Sequence, residues 1–150
     1  MKQTGFIDRA EAYSIYWYWF KKFNKYECNS KEMPSYFILN SIFSSFLIEI
    51  GIKALIAFEN KQVKGSHKLD QLFNQLSPEL QNNIAQLMEY ELTILKEKLK
   101  ENSEHFEQWR YYYELGANTF NIPFMDKLLQ VTTALLEVLK NNKDNSLNRE

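Results

Sequence analysis

The chain has 150 residues, of which 45% are hydrophobic and 25% charged, and its formal net charge is -1. This length suits a single domain with a sizeable core, and the composition excludes a largely disordered chain. The near-neutral charge excludes a general electrostatic attraction to nucleic acid or to an acidic membrane.

A cytoplasmic setting is expected from two features. Cys28 is the only cysteine, which excludes an internal disulfide and favours a reducing compartment. The N-terminus lacks the pattern of a signal peptide. The apolar run 36–48 is too short to span a bilayer, and no membrane association is expected.

The predicted fold is an all-α bundle of four to five helices. Apolar residues recur every three or four positions along most of the chain, and glycine and proline are scarce. Residues 1–140 are expected to form one domain, followed by a polar, flexible tail at 141–150. An irregular aromatic segment lies near 105–122. The predicted helices are 6–23, 34–58, 67–76, 78–99 and 124–140.

The first helix is apolar on every side over Ile15–Phe20. This pattern indicates a core helix or, because Trp and Tyr are enriched at interfaces, the face of a homodimer. An aromatic platform for stacking nucleic-acid bases is a third interpretation, with Lys21, Lys22 and Lys25 as the nearby cations.

The second helix carries a polar seam, which is the set of small polar and charged residues on one of its faces. Glu49 precedes Lys53 by four positions, the favourable order for an ion pair on a helix. The seam either meets polar groups of other helices or lines a cleft or twofold axis. Its members are Asn40, Ser41, Ser44, Ser45, Glu49 and Lys53.

Local signals predict how the helices begin. Pro34 suits a first helical turn, since its missing N–H has no partner there in any case. Ser66 is the expected N-cap of the short third helix. Ser77, Pro78 and Glu79 combine a cap residue, a proline and an acid in the order typical of a helix start.

The chemistry-bearing residues are few. His67, His105 and Cys28 are too scattered to indicate zinc, so neither a metal nor a cofactor is expected. A nucleophilic pair of Cys28 with a histidine stays open, although a lone cysteine is more often a buried apolar residue.

One constellation favours acid–base chemistry. His67 and Asp70 begin the third helix and are expected to share a face, while Arg110 and Glu114 lie four apart in the aromatic segment. Histidine with arginine suits metal-free RNA cleavage, His67 acting as acid or base and Arg110 holding the phosphate. Alternatively, His67 satisfies a helix start and Arg110 pairs with Glu114 or Asp70 to join two helices.

The chain resembles the HEPN superfamily of small helical bundles over roughly residues 34–140. The resemblance rests on three motifs: Glu49-x-x-x-Lys53-Ala-Leu, Gly65-x-His67-x-Leu69-x-x-Leu72 and Trp109-Arg110-Tyr111-x-Tyr113-Glu114.

The resemblance implies a bacterial defence or stress protein of the toxin–antitoxin or phage-defence type, often a homodimer. Many members are metal-independent ribonucleases with an Arg-x4–6-His motif, which this chain lacks, since His105-x4-Arg110 runs in reverse order. Members without the motif bind RNA, nucleotides or a partner protein, and a purely structural, neutralising subunit is a further alternative. The candidate catalytic residues are His67 and Arg110. The candidate binding residues are Lys53, Asp70, Tyr111 and Glu114.

Overall fold

A computed structural model describes residues 9–25, 33–103 and 121–147. The secondary structure of this part of the chain is helical and contains no strand, which confirms the all-α prediction. The number of helices, six over the described ranges, exceeds the predicted four to five. They are α1 (Arg9–Lys25), α2 (Met33–Phe58), α3 (Leu69–Phe73), α4 (Pro78–Met88), α5 (Leu92–Asn102) and α6 (Ile122–Leu147).

Helix α2 lies at the centre, because it is apolar around most of its circumference and can bury several faces at once. It packs mainly against α1 and α6. Burial of its aliphatic side chains supplies a large part of the hydrophobic stabilisation, at about 25 cal/mol per Å² of apolar area. The large α2 side chains that are almost fully buried are Leu47, Ile48, Ile52, Leu55 and Ile56.

Helix α1 runs antiparallel to α2, since Trp19 contacts Phe46 near one end and Tyr13 contacts Phe58 near the other. Its aromatic side chains are mostly committed to this packing. Tyr16 is completely buried, whereas Tyr18 is 57% exposed. The core interpretation of Ile15–Phe20 therefore accounts for most of the block, and the homodimer face stays a prediction.

Helices α1, α2 and α6 meet closely at Gly51 of α2. A Cβ atom there would lie 2.5 Å from Thr132 Cγ2 of α6 and 3.1 Å from Tyr16 Cε2 of α1. Tyr16 and Thr133 also share a hydrogen bond of 2.5 Å between their hydroxyl groups. Glycine at this position thus permits the close approach of α1 and α6 to the central helix.

The single helix predicted over 78–99 is wrong, because the chain breaks between α4 and α5. Glu89 adopts a left-handed conformation with φ 61° and ψ 37°. The backbone N–H of Tyr90 then donates to the carbonyl of Ala85, which ends α4 in the manner usually associated with glycine. The apolar spacing continues across this turn, so periodicity alone hid it.

The start of α3 differs from its prediction, whereas the start of α4 is as predicted. The N-cap of α3 is Lys68, without a side-chain cap, and Ser66 instead accepts a hydrogen bond from the Lys68 N–H at 3.0 Å. The helix therefore begins at Leu69, two residues after His67. At α4, Ser77 Oγ accepts from the N–H of Leu80 at 3.2 Å, and Pro78 occupies the first turn.

Helix α6 begins at Ile122, where Asn121 Oδ1 accepts a hydrogen bond from the Phe124 N–H. It extends to Leu147, through most of the segment predicted to be a flexible tail. Among the described residues, no helix is both long enough and apolar enough to cross a membrane.

Candidate functional site

Glu49 connects the Glu49–Leu55 motif of α2 to the Gly65–Leu72 motif that contains His67. Its Oε1 atom contacts Lys53 Nζ at 2.5 Å and His67 Nδ1 at 2.9 Å. Lys53 lies one turn further along α2, and His67 arrives from the loop that precedes α3. We call Glu49, Lys53 and His67 the carboxylate cluster.

The three side chains of the carboxylate cluster differ in exposure. The Glu49 side chain is only 6% exposed, whereas that of Lys53 is 24% and that of His67 is 58% exposed. A buried carboxylate needs partners because removal from water penalises its charge. Lys53 Nζ and His67 Nδ1 are these partners, and both contact Oε1 of Glu49. The His67 contact also holds the loop before α3 beside the polar seam of α2.

The second carboxylate oxygen of Glu49 lacks such contacts within the described part of the chain. Oε2 is buried and has no hydrogen-bond partner among the described residues. Two further members of the seam, Ser44 and Ser45, are also buried. The seam is therefore an internal polar stripe at this level of α2, rather than a solvent-exposed face.

His67 is arranged so that its two ring nitrogens have different roles. In the neutral ring, a contact from Nδ1 to a carboxylate places the proton on Nδ1, because the carboxylate oxygen can only accept. Nε2 then keeps its lone pair. Since the side chain is more than half exposed, this arrangement suits a proton acceptor or a hydrogen-bonding contact to a ligand.

The loop 59–68 carries the cations nearest in sequence to His67. Lys61 is engaged, since its Nζ contacts Glu59 Oε2 at 2.9 Å and the Gln75 carbonyl at 3.3 Å. Lys64 is exposed and forms no ion pair within the described ranges. Lys68 is half-buried.

Gln75 fixes the backbone of this loop. Its Oε1 accepts from the Lys64 N–H at 2.8 Å, and its Nε2 donates to the Lys64 carbonyl at 3.2 Å. Val63 packs against the core, so the segment is held on both sides of its exposed lysine. We call Lys64, His67 and Lys68 the basic loop.

The loop is also held at its beginning by Glu59. Partial burial raises the pKa of the Glu59 carboxyl, but hydrogen bonds from Ser77 and Lys61 outweigh that effect and leave the pKa below its usual value. The carboxylate accepts from the Ser77 N–H at 2.9 Å at the start of α4, where a negative charge is favoured.

Asp70 does not join His67. Its carboxylate accepts a hydrogen bond from Ser103 Oγ at 2.5 Å, and its backbone N–H donates to the same hydroxyl at 2.9 Å. The expectation that His67 and Asp70 act together from one helix face is therefore not met, since His67 precedes α3 and turns to Glu49. Asp70 instead ties the start of α3 to the end of α5.

Several predicted positions lie outside the described residues. They are Cys28, His105, Arg110, Tyr111 and Glu114. The described part of the site thus contains Lys53, His67 and Asp70 of the predicted residues. The structure adds Glu49, which contacts both Lys53 and His67. It also adds Gln75 and Ser103, which hold the loop and the start of α3 in place and belong to no motif recognisable in the sequence.

The carboxylate cluster combines one acid with two basic side chains, which is not a set of metal ligands. Within the described ranges, no three or more histidine, cysteine or acidic side chains are grouped to hold a metal ion. Comparison with known proteins adds no assignment, because no protein-family model, curated protein or solved structure matches the chain.

Proposed function

We propose that this protein is a HEPN-like domain of a bacterial defence or stress system that binds RNA without the standard nuclease motif. The observation that carries the proposal is the basic loop. Lys64, His67 and Lys68 follow one another within five positions, and the loop is anchored by Gln75 and Glu49. An exposed lysine such as Lys64 on a fixed backbone suits contact with a phosphate backbone, since binding then orders fewer groups.

RNA is favoured over a protein partner by the kind of groups that the loop presents. Lys64 is exposed and without an ion pair among the described residues, and the imidazole of His67 is a planar donor or acceptor for a base or a ribose hydroxyl. Lys53 is occupied by Glu49, so we assign it to positioning rather than direct RNA contact.

Fluorescence anisotropy with a labelled single-stranded RNA of about 20 nucleotides tests this proposal, since a strand of this length exceeds the site sizes typical of single-stranded binders. Lys64→Gln, alone and with Lys68→Gln, should weaken binding and lower the slope of log K against log salt by about 0.7 per lost phosphate contact. Lys100→Gln is the matched control, because it removes the same charge from an exposed lysine of α5. Equal weakening by the loop and control variants would contradict a specific role of the loop.

A second candidate function is a divergent, metal-independent ribonuclease. The Glu49–His67 contact favours it, because a carboxylate that orients an imidazole is a common support for general acid–base catalysis. In this alternative His67 exchanges the proton and Arg110 holds the phosphate. Cleavage of RNA in EDTA that disappears in His67→Ala distinguishes it from binding alone.

A further inference from the structure

A solvent-open groove of about 820 Å³ lies between α1 and α6, on a surface distinct from the basic loop. This volume falls within the range of about 300 to 1,000 Å³ that is typical of small-ligand sites. The α1 residues along it recur at helical spacing, and the α6 residues form the opposite wall. The lining residues are Tyr13, Ser14, Trp17, Tyr18, Lys21, Glu137, Lys140 and Asn141.

The groove presents aromatic rings together with cations. Tyr18 is 57% exposed, although aromatic side chains are expected to be buried where the fold allows it. Lys140 Nζ lies 5.7 Å from the centre of the Tyr13 ring, and Lys21 is exposed on the last turns of α1. With Glu137, the groove has two cations and one carboxylate, and hence a net charge of +1.

One donor at the groove lacks a partner among the residues that the structure describes. The Trp17 indole N–H is buried, and no described residue accepts a hydrogen bond from it. Unsatisfied buried donors are uncommon and costly, so they point to a missing acceptor. The Trp17 side chain lines the groove, and its ring packs against the rings of Tyr13 and Phe20.

We infer that this groove binds one nucleotide, with the base stacked on Tyr18 and the phosphate held between Lys21 and Lys140. A nucleotide combines a flat ring, an anion and hydroxyl or N–H donors for the Glu137 carboxylate. Base stacking on an aromatic side chain contributes to binding of single strands whatever their sequence. The nucleotide is either free or one unit of an RNA strand, and both sources share this chemistry.

The groove is separate from the basic loop, so an experiment can contradict nucleotide binding in the groove without contradicting RNA binding by the loop. The test is a titration of the ¹⁵N-labelled protein with adenosine 5′-monophosphate, following the indole N–H resonances by NMR. The Trp17 resonance should shift in a saturable way as the nucleotide is added. Adenosine and inorganic phosphate, each lacking one half of the ligand, should give weaker binding.

Substitutions at Tyr18 and Lys64 test whether the nucleotide binds in the groove. Tyr18→Ala should weaken binding by about tenfold or more through loss of stacking, and Tyr18→Phe should retain it. Lys64→Gln in the basic loop should leave this titration unchanged. A Trp17 shift with a short RNA but not with the mononucleotide assigns the groove to an RNA strand. No shift with either ligand, or equal binding by Tyr18→Ala, would overturn the inference.

Discussion

His67 Nδ1 lies 2.9 Å from Glu49 Oε1, although the two residues are 18 positions apart in the sequence. This contact bridges the loop before α3 to the central helix α2. It places the histidine of one predicted motif against the acid of another. The contact leads to predictions about the tautomer of His67, the Glu49–Lys53 ion pair and the packing of the helices around α2.

The neutral imidazole of His67 should carry its proton on Nδ1, because Glu49 Oε1 can only accept. The ¹⁵N chemical shifts of the ring nitrogens, measured at a pH where the ring is neutral, report this directly. Glu49→Leu should change the tautomer populations, whereas Lys53→Met, which keeps the acceptor, should not. A ring protonated mainly on Nε2 in the unaltered protein would contradict the observed contact.

Lys53→Met should destabilise the fold by about 1 to 3 kcal/mol, since it leaves the buried Glu49 carboxylate with fewer partners. Lys61→Met is the matched control, because Lys61 pairs with Glu59 at a more exposed position, and it should cost less than about 1 kcal/mol. Urea unfolding measures both. The double variant Glu49→Leu with Lys53→Met should be less destabilised than the sum of the single changes, since it removes the buried charge with its partner.

Gly51→Ala should destabilise the protein by about 1 to 3 kcal/mol, although alanine favours a helix over glycine. The new methyl group would lie 2.5 Å from Thr132 Cγ2. Thr132→Ser removes that methyl group and keeps the hydroxyl that donates to the Leu128 carbonyl, so it should restore part of the lost stability. Gly65→Ala, which meets nothing within 4 Å, should be tolerated. Equal effects at the two glycines in thermal unfolding would exclude close packing as the cause.

Stability should fall between pH 10 and pH 12 through Tyr16. Burial raises the pKa of Tyr16 from 10.0 to about 12, against the hydrogen bond with Thr133, which lowers it, while Glu137 adds to the rise. Above pH 10 the unfolded chain loses this proton before the folded chain does, so the contribution is complete below pH 10 and lost by pH 12. The loss is about 2 to 3 kcal/mol.

Tyr16→Phe provides the comparison for this pH dependence. The variant loses the hydroxyl contact with Thr133 and costs about 1 kcal/mol at neutral pH. Its unfolding free energy should fall less steeply between pH 10 and pH 12 than that of the unaltered protein. Identical slopes in urea titrations at these pH values would contradict the assigned burial.

The sequence predicts the helical elements well where periodicity and capping agree. The start of α4 at Ser77 and Pro78 and the central position of α2 follow from the residues themselves. The break at Glu89 does not, because a non-glycine residue adopts the left-handed conformation and the apolar spacing continues beyond it. Tertiary packing of two short helices against the core outweighs the local preference for one long helix.

The sequence predicts which residue types form the site, but it does not predict which of these residues contact one another. Glu49 with Lys53 follows from their spacing on one helix. The partners His67 with Glu49, and Asp70 with Ser103, depend on how the loop folds back along α2 and on where α5 ends. Such contacts between distant positions leave no local pattern.

The most direct test of RNA binding by the basic loop incubates the protein with total RNA in EDTA and analyses it on native and denaturing gels. The proposed function predicts retarded RNA on the native gel, intact RNA on the denaturing gel, and weaker retardation for Lys64→Gln than for Lys100→Gln. RNA that is not retarded at low salt would contradict the proposal. Cleavage that survives EDTA and disappears in His67→Ala would replace it with the ribonuclease.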